Sequence, residues 1–249
     1  MRLLLVNPNT SHSLTNLLVS AATPALSAGT HLEATTASFG VPYIATRAEA
    51  VIGAQAALES LAEKAPDYDA AIIGAFGDPG LGAARELFSV PIVGLAEAGM
   101  LAACMLGRRF SIVSFATQLE PWYRECVEGH GLMGRCASIR CSETPFNAIE
   151  DVQFDKEMAL LELCDKAIIQ DGADVIVLAG APLSGLAKRI ADKIRVPVVD
   201  CAVASVKMAE MLIALDVKKA TTGSFRRPDP KPVSGLDTHL GRWVANQPE

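Results

Sequence analysis

The sequence has few aromatic residues, few basic residues and no long hydrophobic run. Aromatic residues make up 5% of the 249 residues, and 22 lysines and arginines face 28 aspartates and glutamates. A net charge of −6 without basic clusters disfavours nucleic acid and anionic membranes as partners. No uncharged apolar stretch approaches the roughly 18 residues of a membrane-spanning helix, so we expect no membrane association.

Sequence motifs for disulfides, metals and common cofactors are also missing. The six cysteines follow no secretory signal pattern, which predicts free thiols in a cytoplasmic protein. The four histidines show no metal-ligand spacing, and Cys136 and Cys141 bracket a predicted strand, so no metal is expected. A Walker loop, a dinucleotide fingerprint and a nucleophile elbow are absent, and we expect no cofactor.

The chain contains one pattern twice. Asp69 opens an apolar run that ends in a small-residue turn, and Asp174 opens a similar run with a similar turn. A Val-Pro pair and a further apolar run follow in both places. Ala75 and Gly180 each stand six residues after the opening aspartate, so we treat them as equivalent positions. This repetition predicts two copies of one supersecondary unit, with two strand-end turns on opposite sides of a cleft.

Short apolar runs rich in Val and Ile alternate with longer amphipathic stretches. Continuous apolar runs bounded by Gly, Pro or Asp are typical of strands buried on both faces of a parallel sheet. The predicted strands are 2–6, 32–38, 70–75, 91–94, 109–115, 136–140, 174–179 and 197–199. The predicted helices include 46–63, 120–131, 155–170 and 202–214. This alternation predicts an α/β fold, arranged as two pseudo-symmetric parallel-sheet lobes around a central cleft.

The repeat also suggests where the two lobes begin and end. We expect a first α/β lobe of residues 1–97 plus 206–249 and a second α/β lobe of residues 98–205. The last segment of the chain is then expected to pack back on the first lobe. The Thr10-Ser11 pair and Thr117 follow predicted strands and fit helix N-caps.

Ligands of open α/β sheets bind beyond the carboxyl ends of the strands. Backbone N–H groups at the start of the following helices make such corners suitable for anions. The candidate substrate-binding residues at these strand ends are Asn9, Ala75, Phe76, Gly77, Ser114, Thr117, Gly180 and Ala181.

The strand-end segments resemble a known family. Asn7-Pro8-Asn9-Thr10 and the segment 76–81 resemble the aspartate/glutamate/hydantoin racemase superfamily, on its hydantoin and allantoin racemase branch. The resemblance covers essentially the whole chain, and it implies the two-lobed fold that the repeat predicts independently. It further implies a cofactor-independent isomerase that acts on a small carboxylate or on a cyclic amide or ureide, such as a hydantoin or an amino-acid derivative.

The resemblance also implies one cysteine on each side of the cleft, where a thiolate removes the α-proton and the opposite thiol returns one. Ala75 and Gly180 stand at those two positions in this sequence, and neither can transfer a proton. Ordinary two-thiol racemisation is therefore not expected. The alternatives are a hydrolase or a decarboxylase in the same cleft, or a non-catalytic ligand-binding protein.

Five other ionisable side chains are candidates for the proton-transfer role: Cys201, Asp78, Asp200, Glu97 and Tyr43. Cys201 is the first choice, because helix N–H groups are expected to lower its thiol pKa. Each candidate also has a structural alternative. Cys201 fits a small buried hydrophobic residue, the carboxylates fit helix caps, and Tyr43 fits a surface turn. We expect the protein to bind a small molecule and to form a homo-oligomer.

Overall fold

The computed structural model describes residues 1–145 and 148–246, along which strands and helices alternate. The strands are β1 (Arg2–Asn7), β2 (His31–Thr36), β3 (Ala70–Ile73), β4 (Ile92–Gly94), β5 (Phe110–Ser114), β6 (Cys136–Cys141), β7 (Val175–Leu178) and β8 (Val198–Asp200). The α-helices are α1 (His12–Ala22), α2 (Arg47–Lys64), α3 (Leu81–Leu87), α4 (Leu95–Leu106), α5 (Glu120–Gly129), α6 (Val152–Ile169), α7 (Leu186–Ile190), α8 (Cys201–Ala214) and α9 (Thr238–Val244). Every strand predicted from the sequence is present, with bounds shifted by one or two residues.

The strands form two parallel sheets with the same topology. The first sheet has the order β2-β1-β3-β4, and the second has the order β6-β5-β7-β8. All the neighbouring strands in both sheets pair in parallel. The identical order confirms the predicted fold of two pseudo-symmetric parallel-sheet α/β units. The carboxyl ends of the strands in each sheet lie along one edge, where the candidate site is built.

Both faces of β1 are buried, which explains its uninterrupted apolar sequence. Leu3 and Leu5 belong to a large core that also includes residues of the second sheet. Leu4 and Val6 belong to a separate core on the opposite face of the first sheet. Successive side chains of a strand point to opposite faces, so a central strand covered on both sides needs apolar residues at every position.

Two helices are exchanged between the sheets. α4 follows the last strand of the first sheet but packs on β7 and β8 of the second. α8 follows the last strand of the second sheet but packs on β3 and β4 of the first. The two helices also pack on each other. The large core therefore runs without a break from one sheet to the other.

Local signals account for part of this architecture. Ser11 caps α1 as predicted, since its hydroxyl accepts a hydrogen bond from the backbone N–H of Leu14 at 3.3 Å. The prediction for Thr117 is wrong, because it does not cap a helix and instead begins the 3₁₀ segment Thr117–Leu119 ahead of α5. Within the described ranges, we find no helix long and apolar enough to cross a membrane.

The C-terminal helix α9 packs against α2. Trp243 anchors it, because its indole Nε1 donates a hydrogen bond to the carbonyl oxygen of Ala62 at 3.1 Å. The boundaries of the two lobes stay a prediction. The lobes as predicted include residues 146–147 and 247–249, which lie outside the described residues.

Candidate active site

The two matched turns meet at one small cavity. Ala75 follows β3 and Gly180 follows β7, and both line this cavity of about 20 Å³. That volume has room for about one water molecule. The lining residues are Asn9, Leu14, Tyr43, Ile44, Ala75, Phe76, Trp122, Tyr123, Gly180, Ala181 and Pro182. Six of the residues named from the sequence therefore come together: Asn9, Tyr43, Ala75, Phe76, Gly180 and Ala181.

Asn9 is held in one orientation by a buried polar network beyond the end of β1. Its Oδ1 accepts hydrogen bonds from Asn7 Nδ2 and from the backbone N–H of Ser11, both at 2.9 Å. Asn7 Nδ2 also donates to Thr15 Oγ1 at 2.9 Å. These two bonds occupy Oδ1 of Asn9 and fix the orientation of its amide. The Nδ2 group of the same amide is then the donor available to a ligand. Asn9 is only 4% exposed, so such a donor is preorganised.

Gly180 has a backbone conformation that other residues rarely adopt. Its φ is +109° and its ψ is 136°. A Cβ added at this position would lie 2.7 Å from Cε1 of Phe115 and 3.3 Å from the hydroxyl oxygen of Tyr123. The space that a side chain at position 180 would need is therefore filled by two aromatic rings. Ala75, by contrast, is not among the described residues with positive φ.

Helix α5 covers the cavity with aromatic side chains. The ring of Tyr123 packs on Phe76, with 4.6 Å between the ring centroids. Trp122 lies against Gly77, so close that a Cβ at that glycine would come 2.2 Å from the indole ring. α5 lies next to β6 in the second sheet, whereas Phe76 and Gly77 follow β3 in the first. α5 therefore bridges the two halves over the pocket.

The ionisable groups that line the cavity are two tyrosines. Burial raises the pKa of Tyr43, although a hydrogen bond with Gln118 opposes that shift. Burial also raises the pKa of Tyr123, and the nearby Tyr43 adds to the effect. Both phenols are therefore neutral at physiological pH and act as hydrogen-bond donors rather than as bases. Among the described lining residues there is no cysteine, histidine, lysine or carboxylate.

Three predicted binding residues do not line the cavity. Ser114 is fully buried, and its hydroxyl donates a hydrogen bond to the carbonyl oxygen of Ala179 at 2.8 Å. Thr117 lines a different, open pocket of about 420 Å³ between β6 and α6. Gly77 packs against the indole ring of Trp122. The sequence placed these residues at strand ends correctly, but strand-end position does not ensure that a group faces the cavity.

Asp78 caps a helix that is distant in sequence. Its Oδ1 accepts from the backbone N–H of Ala96 and its Oδ2 from that of Glu97, both at 2.8 Å, at the N-terminus of α4. The helix that directly follows the turn, α3, has Gly80 at its N-cap instead. Glu97 forms an ion pair with Arg85, in which Arg85 Nη1 lies 2.9 Å from Oε1. Both carboxylates therefore hold structure together and do not line the cavity.

Asp200 and Cys201 also have structural surroundings. Asp200 caps α8 by accepting from the backbone N–H of Ala202 at 3.0 Å, and burial raises its pKa. Cys201 is 4% exposed, and its thiol donates to the carbonyl oxygen of Leu178 at 3.3 Å. Burial raises the pKa of Cys201, so the expected lowering is wrong. The backbone N–H groups of Ala202 and Val203 at the start of α8 are bonded to Asp200. The desolvation cost therefore dominates the pKa of Cys201.

Five lining residues are not among the candidate site residues named from the sequence: Leu14, Ile44, Trp122, Tyr123 and Pro182. Trp122 and Tyr123 carried a usable signal, because the chain has only two tryptophans and three tyrosines. Adjacent large aromatics in such a chain are notable, especially just after a strand-end turn. The remaining three are ordinary apolar residues whose place depends on the tertiary fold.

Comparison with known proteins agrees with this geometry. A family model described as Asp/Glu/Hydantoin racemase matches residues 3–209. The chain belongs to the Asp/Glu/hydantoin racemase family. It is 33% identical to hydantoin racemase from Paenarthrobacter aurescens over 233 residues, which cover 93% of this chain and 99% of that one.

Solved structures show that this family assignment extends to the three-dimensional fold. Allantoin racemase from Klebsiella pneumoniae superposes with a TM-score of 0.91 at 34% identity, covering 97% of this chain and 99% of that one. Allantoin racemase from Pseudomonas fluorescens gives a TM-score of 0.87 at 31% identity, covering 94% of this chain and 100% of that one. The similarity to members of the Asp/Glu/hydantoin racemase family therefore extends over nearly the whole fold of this protein.

Proposed function

We propose that this protein is a cofactor-independent, racemase-like isomerase of small cyclic amides or ureides, such as hydantoins, or of related amino-acid derivatives. In this proposal the cleft stabilises an enolate without a pair of thiols, so proton exchange is slow. The observation that carries the proposal is the meeting of Asn9, Ala75 and Gly180 at one cavity in a member of this racemase family.

The donors around the cavity support stabilisation of an enolate. Loss of the α-proton leaves the electron pair of the broken C–H bond delocalised onto the neighbouring carbonyl oxygen. Asn9, Tyr43 and Tyr123 line this site, and we assign the Nδ2 group of Asn9 and the two neutral hydroxyls as donors to the enolate oxygen. One such donor typically contributes about 10²- to 10³-fold in rate.

The missing base sets the expected rate. Removing a positioned general base costs about 10²- to 10⁴-fold. Water is the remaining proton acceptor in this scheme, because Tyr43 and Tyr123 have raised pKa values and neither is a base at neutral pH. We therefore propose α-proton exchange faster than in free solution but far slower than with two thiols.

A decarboxylase is the second candidate, and the neutral phenols favour it. Loss of CO₂ generates an enolate without any base, since the C–C bonding electrons become the enolate. The only proton step is then delivery of one proton to carbon, which suits a neutral donor such as Tyr123. The hydroxyl of this residue lies next to Gly180, and protonation from one face gives a product of single handedness.

The test is solvent deuterium exchange at the α-carbon of single enantiomers of 5-substituted hydantoins, followed by NMR and polarimetry. We expect exchange above the uncatalysed rate, with loss of optical rotation. Tyr123→Phe should lower it by about 10²-fold if the hydroxyl stabilises the enolate. Tyr68→Phe is the matched control, because Tyr68 lies away from the cavity, where its hydroxyl donates to Glu33 Oε2 at 2.8 Å.

The alternatives give different outcomes in the same assay. CO₂ release from a substituted malonate or a carboxylated analogue, with no exchange on hydantoins, would favour the decarboxylase. Ring opening, detected as a new carbamoyl signal, would favour a hydrolase. A ligand that raises Tm without any turnover would identify a binding protein and contradict the isomerase proposal.

A further inference from the structure

Three potential metal ligands of different chemical type converge beneath α5. One ligand atom each from Asp78, Cys126 and His130 lies within 4.8 Å of the other two. The spacing of the histidines alone does not reveal this group, because its other members are a cysteine of the same helix and Asp78 from another element. The cluster lies outside the cavity lined by Ala75 and Gly180.

Two of these ligands come from one face of one helix. Cys126 lies in α5, and His130 follows at the helix C-cap with helical backbone angles. Residues four apart on a helix are neighbours on the same face, a spacing that suits chelation of one ion. Asp78 approaches from the turn after β3, and its Oδ2 lies 3.0 Å from His130 Nε2.

His130 and Asp78 already have partners of the kind that orient metal ligands. Nδ1 of His130 lies 3.6 Å from Oε1 of Glu97, while Nε2 faces Asp78. A histidine ligand usually directs its second nitrogen at a carboxylate in this way. Glu97 is itself held by Arg85. The carboxylate of Asp78 is held by the backbone N–H groups of Ala96 and Glu97, both at 2.8 Å.

Burial and charge also fit a cation. The side chain of Asp78 is 3% exposed and that of His130 is 19% exposed, which leaves a route for an ion from one side. The carboxylates of Asp78 and Glu97 both face His130, at 3.0 and 3.6 Å, and supply negative charge that a divalent cation can neutralise.

We propose that Asp78, Cys126 and His130 form a binding site for Zn²⁺ or a similar borderline divalent ion, with a fourth position open to water. Carboxylate, thiolate and imidazole together are a typical zinc donor set. Bonds of about 2.0–2.3 Å to one ion require the ligand atoms, which lie within 4.8 Å of one another, to draw together on binding. Binding releases the thiol proton, and any proton on His130, to solvent.

The site has a structural consequence. An ion held by Cys126 and His130 on one side and by Asp78 on the other ties α5 to the turn that follows β3. That turn contains Phe76 and Gly77, against which Tyr123 and Trp122 pack over the cavity. Occupancy of the metal site should therefore fix the packing of α5 over the cavity.

Titration of the metal-free protein with Zn²⁺ and, separately, Co²⁺ tests the site. We expect one ion per chain by native mass spectrometry, a rise in Tm, and a thiolate-to-cobalt charge-transfer band. Cys126→Ser should remove that band, and His130→Asn should abolish stoichiometric binding. Glu97→Gln should weaken Zn²⁺ binding by about 10- to 100-fold, because Glu97 orients His130 without binding the ion itself. Cys136→Ser and His31→Asn are the control variants and should bind as the parent does.

Two results would overturn the proposal. The first is a parent protein that binds no stoichiometric Zn²⁺ or Co²⁺, in which case the hydrogen bond between His130 and Asp78 accounts for the cluster. The second is binding that survives in both Cys126→Ser and His130→Asn, which would place the ion elsewhere. The cobalt spectrum of the parent alone is sufficient if a variant fails to fold, because absence of a thiolate band excludes Cys126 as a ligand.

Discussion

The ring of Phe115 occupies the space into which a side chain at Gly180 would project, 2.7 Å from the position of a Cβ. Gly180 also has a φ of +109°. A thiol at this position therefore needs both a different backbone and a different packing of Phe115. Replacing one residue is not enough to rebuild the second side of a two-thiol site.

We predict that Gly180→Ala lowers the free energy of unfolding by about 1–3 kcal/mol, because of backbone strain and overpacking against Phe115. Chemical denaturation followed by circular dichroism measures this change. Gly82→Ala is the matched control, because no atom outside its own stretch of α3 lies within 4 Å of a Cβ built there. That control should be neutral or slightly stabilising. Equal effects of the two substitutions would contradict the proposed strain at position 180.

We predict that Ala75→Cys is tolerated and accelerates α-proton exchange. Ala75 lines the cavity and its backbone conformation is ordinary, so a thiol there restores a base on one face. The gain should reach about 10²-fold or more if the thiolate forms. Deuterium exchange at pH 7 and pH 9 measures it, and the higher pH should increase the gain. An unchanged rate at both pH values would indicate that the substrate binds elsewhere.

We predict that Asn9→Ala weakens ligand binding and that Thr117→Ala does not. Asn9 lines the cavity with a fixed amide, whereas Thr117 lines a separate open pocket. Loss of one hydrogen bond should cost about 0.5–1.5 kcal/mol for a neutral ligand and up to about 3 kcal/mol for an anion. Isothermal titration calorimetry with a hydantoin or a carboxylate distinguishes the two variants. The reverse order of effects would move the site to the pocket between β6 and α6.

We predict that Cys201 is inert in the folded protein. Its thiol is buried, its pKa is raised, and it donates to the carbonyl oxygen of Leu178. Iodoacetamide should label Cys201 only after denaturation, and Cys201→Ser should retain the parent's exchange rate. Peptide mass spectrometry locates the label. Rapid labelling of the native protein at this residue would restore Cys201 as a candidate for proton transfer.

We predict an acid-dependent loss of stability that depends on Glu210. Burial raises its pKa, but hydrogen bonds from Lys207 and Ser27 outweigh burial and lower it to about 2. A lowered folded-state pKa stabilises the protein above the ordinary value of 4.5, and this contribution disappears as the pH falls towards 2. Glu210→Gln should reduce stability at pH 7 and flatten its dependence between those values. Urea denaturation at several pH values provides the measurement.

The sequence was sufficient to predict the strands and the repeated fold. Parallel strands covered on both faces require apolar residues at every position, as Leu3 to Val6 show, and such runs are easy to identify. The matched turns at Ala75 and Gly180 then located the cleft. These features depend on local composition and on comparison of the chain with itself.

The partners of the ionisable residues could not be predicted from the sequence. Asp78 could be identified as a helix cap, but the sequence suggested the helix that follows it rather than α4, which begins 17 residues later. Only the packing of α4 beside the turn brings its N–H groups to that carboxylate. Likewise, the raised pKa of Cys201 depends on burial of its thiol between α8 and α4. No local sequence pattern encodes that packing.

The exchange of α4 and α8 makes the two halves of the chain mutually dependent for their folding. Each sheet has part of one face covered by a helix that belongs, in chain order, to the other half. A cut in the connection between α4 and β5 would leave two fragments that remain associated, because each contains a helix packed on the other's sheet. Separately expressed halves would each expose an apolar sheet face and an apolar helix, and should dissolve poorly unless they are refolded together.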